Sequence, residues 1–335
     1  MTRVALLLFF VMPVIACSSS DPDVADAQVD ADGGAAKDAG ADAGVPFDAG
    51  GEPDAGGTPD AGEAEGEGSS KGQGGIACAS TGSVSTGGVS YSYCVASVAG
   101  VELKIVEPTG TADKPLKLAV YLHGDGAGPY NSGLAIKKHA PWTTTQGILY
   151  VAARAPNACA WWLRPSYTTC DGETPVPESA LDDEGENAQA LAEAIDVLRA
   201  GWDIADSPVL FGGSSGGSIF LAASFYPLFG DRFPGGYALS CGGDAPWAGE
   251  LAWDGTDPAL VGETKLFFTY GDKDFVVPDV LEALSFYEAE GIPTDVKVVP
   301  ETVAAGTSHC GNVGGSYSYD QIGRVQEVWS GYLGE

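Results

Sequence analysis

The run Val209-Leu210-Phe211-Gly212-Gly213-Ser214-Ser215-Gly216-Gly217 constrains this chain more than any other stretch. The apolar residues at its start suit a buried strand, and Ser218-Ile219-Phe220-Leu221-Ala222-Ala223 beyond it suits a helix. A serine on a sharp strand-to-helix turn is held in strained backbone, and a side chain two residues away on either side would strike neighbouring backbone. Glycines at that spacing are therefore what such a turn requires. The pattern Gly-x-Ser-x-Gly fits in two frames, one centred on Ser214 and one on Ser215. Either predicts an exposed hydroxyl at the end of a sheet strand.

The flanking sequence supplies a sheet for that strand. Val101-Glu102-Leu103-Lys104-Ile105-Val106 alternates with period two, and 116–122, 147–152, 208–211, 237–240, 265–270 and 295–299 are apolar-rich runs of strand length. Helical spacing over 186–200, 279–290 and 319–332 separates several of them. Continuous apolar strands between helices predict an α/β domain over 76–335, with a mainly parallel sheet covered by helices on both faces.

The preceding residues cannot build a core. Residues 1–16 have a short basic start and an apolar stretch, as in a secretory signal. They run into Val14-Ile15-Ala16-Cys17, which resembles a bacterial lipobox, so Cys17 is the expected lipidation site. Ser18 follows rather than aspartate, which points to export and anchoring at the outer membrane or cell surface. Residues 17–75 are nearly all Asp, Ala, Gly, Pro, Glu and Ser with a recurring Asp-Ala-Gly, a composition expected to give a disordered tether.

The net charge of −30 excludes nucleic acid as a partner, because phosphate neutralisation needs clustered Lys and Arg. Anionic headgroups would also be repelled, leaving the covalent lipid as the link to a membrane. Apart from Cys17 there are six cysteines, an even number suited to an oxidising compartment. Proximity in sequence pairs Cys78 with Cys94 and Cys159 with Cys170, leaving Cys241 for Cys310. No cysteine spacing suggests zinc, three histidines make a metal site unpromising, and no phosphate loop or dinucleotide fingerprint implies a cofactor.

A serine hydroxyl needs a base to take its proton and a third group to orient that base. Of the histidines, His123 ends a strand, and His139 follows Lys137-Lys138 and is expected at an exposed helix end. His309 lies in a loop after the last strand, behind serine and acid in chain order, and is the expected base. Asp274 in Tyr270-Gly271-Asp272-Lys273-Asp274 follows a strand directly and is the expected acid, with Asp272 as its rival and Asp244 behind.

Together these segments, over roughly 100–333, resemble the α/β-hydrolase superfamily, and within it secreted esterases that include polyhydroxybutyrate depolymerases and feruloyl or acetylxylan esterases. The resemblance implies a serine esterase without cofactor, acting on polyester or polysaccharide-linked esters. Leu122-His123-Gly124-Asp125-Gly126 matches the family's strand-end loop, implying an oxyanion hole from the backbone N–H groups of Asp125 and Ser215. The family's spacing favours Ser214 as nucleophile. Cys159-Ala160-Trp161-Trp162 resembles the family's cysteine-tryptophan segment, making Trp161 and Trp162 an expected substrate platform. Asp125 departs from the pattern, since its carboxylate would oppose the negative charge its own N–H should stabilise.

Overall fold

The computed structural model describes residues 72, 74–110, 114–170, 174–206, 208–247, 249–253, 255, 264–300, 309–310, 312–313, 316–317 and 321–333. The expected signal segment, Cys17 and nearly all of the tether lie outside the described residues.

Nine strands form one sheet: β1 (Ser80–Thr86), β2 (Val89–Val98), β3 (Val101–Val106), β4 (Lys117–Leu122), β5 (Ile148–Arg154), β6 (Val209–Ser214), β7 (Gly235–Ser240), β8 (Lys265–Gly271) and β9 (Thr294–Val299). Their spatial order is β1-β2-β3-β5-β4-β6-β7-β8-β9. The first three are antiparallel, as is the β3–β5 pair, and every pairing from β5 through β4 to β9 is parallel. Helices are α1 (Gly128–Asn131), α2 (Leu134–Thr143), α3 (Glu186–Gly201), α4 (Gly216–Phe220), α5 (Tyr226–Phe229), α6 (Val277–Ala289) and α7 (Gln321–Ser330). A π-helical turn, Leu221–Phe225, joins α4 to α5.

The central strands are apolar on both faces because both faces are covered. In β4, Leu118, Val120 and Leu122 join a core with Leu191 and Ile195 of α3 and Phe220 of α4. The alternate residues Ala119 and Tyr121 join a second core with Ile136 of α2 and Val328 and Trp329 of α7. The same alternation in β5 sends Val151 one way and Tyr150 the other. This is the mainly parallel sheet covered by helices on both faces expected from the sequence.

The edge hairpin and the buried face of α2 carry weak sequence signals. In the β1–β2 hairpin, β1 is serine, threonine and glycine around the single Val84, while β2 alternates Val89, Tyr91, Tyr93 and Val95 with Ser90, Ser92 and Cys94 yet buries only Ala96 fully. Helix α2 contains Pro141 and a Lys-Lys pair that obscure its buried face, formed by Ala135, Ile136, His139, Ala140 and Thr143. Among the described residues no helix is long and apolar enough to cross a membrane.

Candidate active site

The serine turn sits where the parallel strands end. Ser214 is the last residue of β6, and Gly216 the first of α4. Ser215 between them has φ 49° and ψ −123°, a conformation that costs a side-chain-bearing residue about 1–3 kcal/mol and must be imposed by its surroundings. Those surroundings are backbone. A Cβ on Gly213 would lie 2.8 Å from Ser218 N, and one on Gly217 would lie 2.6 Å from His123 O and 2.7 Å from Leu122 O. The two glycines that sterics demand therefore stand two residues either side of Ser215, and the operative frame is Gly213-Ser214-Ser215-Gly216-Gly217.

The hydroxyl of Ser215 lies 2.7 Å from His309 Nε2. The expectation that His309 meets Ser214 is thus corrected to Ser215. Ser214 is 9% exposed and completes the strand opposite Ser240, so family spacing gave way to the position at which the turn forces φ positive.

His309 and Asp274 come together as expected. His309 Nδ1 lies 2.9 Å from Asp274 Oδ1, and the Cys310 N–H donates to Asp274 Oδ2 at 2.8 Å. The Val276 N–H also donates to Oδ1, at 3.3 Å, and Asp274 is buried. With Nδ1–H facing the carboxylate, Nε2 is left to accept from the serine; this tautomer is assigned from the hydrogen-bond network. The rival Asp272 is exposed on the same turn. A disulfide joins Cys241, just past β7, to Cys310 beside His309, fastening the imidazole to the sheet edge near the elbow. Cys78–Cys94 and Cys159–Cys170 are also bonded, completing the three expected pairs. Cys241, His309 and Cys310 cluster within metal-ligand distances, but sulfurs committed to a disulfide are not thiolate ligands.

The loop after β4 forms the opposite wall. His123 is buried and fully used: Nδ1–H donates to Gly124 O at 2.7 Å, and Nε2 accepts from the Ala155 N–H at 3.0 Å. Burial holds its pKa down at about 4, so it is a neutral clamp. The oxyanion pair needs a correction, because the Ser215 N–H donates to Ser240 O at 2.9 Å and is already occupied. The residue after the corrected serine is Gly216, whose N–H opens α4 and has no partner within the helix. The other expected donor, the N–H of Asp125, lies on the loop after β4.

The side chain of Asp125 also belongs to this cleft. Trp162 Nε1 lies 3.0 and 3.1 Å from its two carboxylate oxygens, and a Cβ on Gly216 would collide with Oδ1. Although the residue as a whole is exposed, its carboxyl is crowded by protein, and this burial pushes it up to about 6 against the opposing pull of the Trp162 hydrogen bond and the His309 charge.

The two tryptophans part company. Trp162 is half-buried at the cleft, with Cδ1 3.2 Å from the position of a Gly216 Cβ. Trp161 is fully buried, 5.1 Å from the Phe220 ring and 5.9 Å from His123, so its expected role in substrate binding is corrected to core packing. Asn157 and Asn187 hold the loop between them by donating to the carbonyls of Ala160, Trp161 and Leu163.

His139 also departs from expectation. It is 1% exposed, its ring 4.8 Å from Tyr121, 5.5 Å from Tyr150 and 5.4 Å from Trp329. Its position three and four residues after Ile136 and Ala135 puts it on the inner face of α2, a signal the adjacent lysines masked. One site residue was missed altogether: Phe275, 39% exposed, whose ring lies 4.5 Å from that of His309. Its place next to Asp274 in sequence was the available clue.

No family model and no curated protein matches this sequence significantly. Solved structures similar to it include S-formylglutathione hydrolase (FrmB) from Staphylococcus aureus, at 13% identity over 78% of this chain and 99% of that one, with a TM-score of 0.44. EstE7, a hormone-sensitive lipase homologue from a metagenome library, is 13% identical over 72% and 86%, with a TM-score of 0.45. A thermostable esterase is 17% identical over 66% of this chain at a TM-score of 0.40; the chain spans only 54% of that structure. At these identities and scores the likeness is one of chain course and carries nothing about chemistry.

Proposed function

We propose that the chain is a serine hydrolase of carboxylic esters, with Ser215 as nucleophile, His309 as base and Asp274 as the orienting acid. The observation that carries this reading is the unbroken relay from Ser215 Oγ to His309 Nε2 at 2.7 Å and from His309 Nδ1 to Asp274 Oδ1 at 2.9 Å. Asp274 accepts the Nδ1 proton's hydrogen bond and leaves Nε2 facing the hydroxyl. As Ser215 Oγ attacks the ester carbonyl, its proton passes to Nε2, and Asp274 stabilises the imidazolium so formed. The carbonyl oxygen gathers negative charge, which the N–H groups of Gly216 and Asp125 are proposed to meet; such donors are typically worth about 3–4 kcal/mol each. His309 then returns the proton to the departing alcohol. Water, deprotonated by the same imidazole, cleaves the acyl-enzyme and restores Ser215.

The test is turnover of 4-nitrophenyl acetate by the chain and by two single variants. Ser215→Ala is expected to lose roughly 10⁴-fold or more in kcat while its Tm stays nearly unchanged, because removing an activated nucleophile removes the covalent route. Ser214→Ala is expected to keep most of the rate. Full activity in Ser215→Ala refutes the assignment.

The chain is further proposed to be exported and lipid-anchored through Cys17 at the outer membrane or cell surface. Three disulfides support an oxidising compartment. Metabolic labelling with a fatty-acid probe is expected to mark the wild type and spare Cys17→Ala; equal labelling of both contradicts the anchor.

A further inference from the structure

The carboxyl of Asp125 is in an odd place for an ester hydrolase. It lies over Gly216, whose N–H is proposed to face the developing oxyanion, so an ionised Asp125 sets negative charge beside negative charge. Among the described residues its hydrogen-bond partner is the neutral Trp162 Nε1, and no lysine or arginine is paired with it. The residue as a whole is exposed. Geometry thus leaves a carboxylate fixed in direction by an indole, on an exposed residue, and lacking a lysine or arginine partner among the described residues.

What completes such a site is a cation brought by the substrate. It would pair with the carboxylate and cancel the charge that otherwise opposes the transition state, so its benefit would be felt in the chemical step as well as in binding. Phe275 adds an exposed aromatic face next to His309, and aromatic faces attract cations. The net charge of −30 draws cations toward the molecule as a whole. We propose that Asp125, oriented by Trp162, is a specificity residue that selects esters bearing a positive charge close to the scissile carbonyl; this rests on the esterase reading above.

The experiment uses the full chain and two isosteric substrate pairs. Choline acetate against 3,3-dimethylbutyl acetate places the charge on the alcohol side, and glycine ethyl ester against ethyl propanoate places it on the acyl side. For each pair the ratio of kcat/KM, cationic over neutral, is measured in the wild type and in Asp125→Asn. Comparing enzymes cancels the intrinsic reactivity of each ester. The ratio is expected to fall at least fivefold in Asp125→Asn for one pair or both; a smaller change in both overturns the proposal, even if every rate drops together. Should Asp125→Asn fail to fold by circular dichroism, the same ratios in Asp125→Ser decide, on the same fivefold threshold. A fluorophosphonate probe keeps the two readings apart. Labelling of Ser215 with no turnover of either cationic ester sinks the specificity proposal alone. No labelling and no turnover of any ester sinks the esterase reading beneath it.

Discussion

The elbow around Ser215 and the loop carrying His309 are held in register by opposite means. At the elbow the constraint is close contact between backbones. Gly213 and Gly217 admit close backbone, and Ser218 bonds back to Ser240, donating to its carbonyl at 3.0 Å and accepting from its N–H at 2.9 Å. The histidine side depends on long-range ties, a hydrogen bond to Asp274 35 residues away and a disulfide spanning 69 residues. One half of the site is fixed by sterics that no solvent condition alters, and the other by bonds that a substitution or a reductant can remove. The two halves should therefore fail differently.

The elbow should fail most completely. In Gly217→Ala the new methyl meets two backbone carbonyls that have no flexible end to move. An activity loss of about 100-fold or more is expected, together with roughly 1–3 kcal/mol of destabilisation from overpacking, read by 4-nitrophenyl acetate turnover and denaturant titration. Near-normal kinetics would mean the turn is not sterically determined.

The disulfide comes next. In Cys241→Ser/Cys310→Ser, freeing a loop of 69 residues should cost about 4 kcal/mol on the chain-entropy account. The rate should drop by about tenfold, with Ser215 still in place. Unchanged kinetics in the folded double variant would show that Asp274 alone suffices to hold His309.

His139→Ala serves as the control away from both halves. Removing a fully buried ring from among Tyr121, Tyr150 and Trp329 should cost about 2–4 kcal/mol, while kcat/KM of the folded protein stays unchanged. A selective loss of rate would link that cluster to catalysis.

A further test, on stability alone, concerns pH. Burial, with Asp279 and Glu282 nearby, pushes the carboxyl of Asp244 up to about 7. Between about pH 4 and 7 the folded chain keeps a proton that the unfolded chain has released, so this group's contribution to stability falls as pH rises across that window. Tm of Asp244→Asn minus Tm of the wild type should accordingly increase from pH 4 to pH 7. A constant difference would mean Asp244 ionises normally.

How far the sequence could be read follows the same division. The doubly covered strands announced themselves through continuous apolar runs, and Asp274 and His309 through their places after β8 and behind the last sheet strand. The edge strand β1 did not, because its serines, threonines and glycine carry little apolar signal. Choosing between Ser214 and Ser215, or between Trp161 and Trp162, requires knowing which way one residue faces. Adjacent residues on a strand or turn face opposite ways, and motif spacing alone does not set the phase. His139 shows the converse error, in which charged neighbours outweighed a helical period that pointed inward. The oxyanion pair moved with the serine, since it is defined by the residue that follows it.

Peptide mapping after reaction with a fluorophosphonate tests the central claim most directly, because it asks which of two adjacent hydroxyls His309 activates. The adduct is expected on Ser215 alone, with labelling abolished in His309→Ala. An adduct on Ser214, or labelling of Ser215 that persists undiminished without His309, would contradict the account.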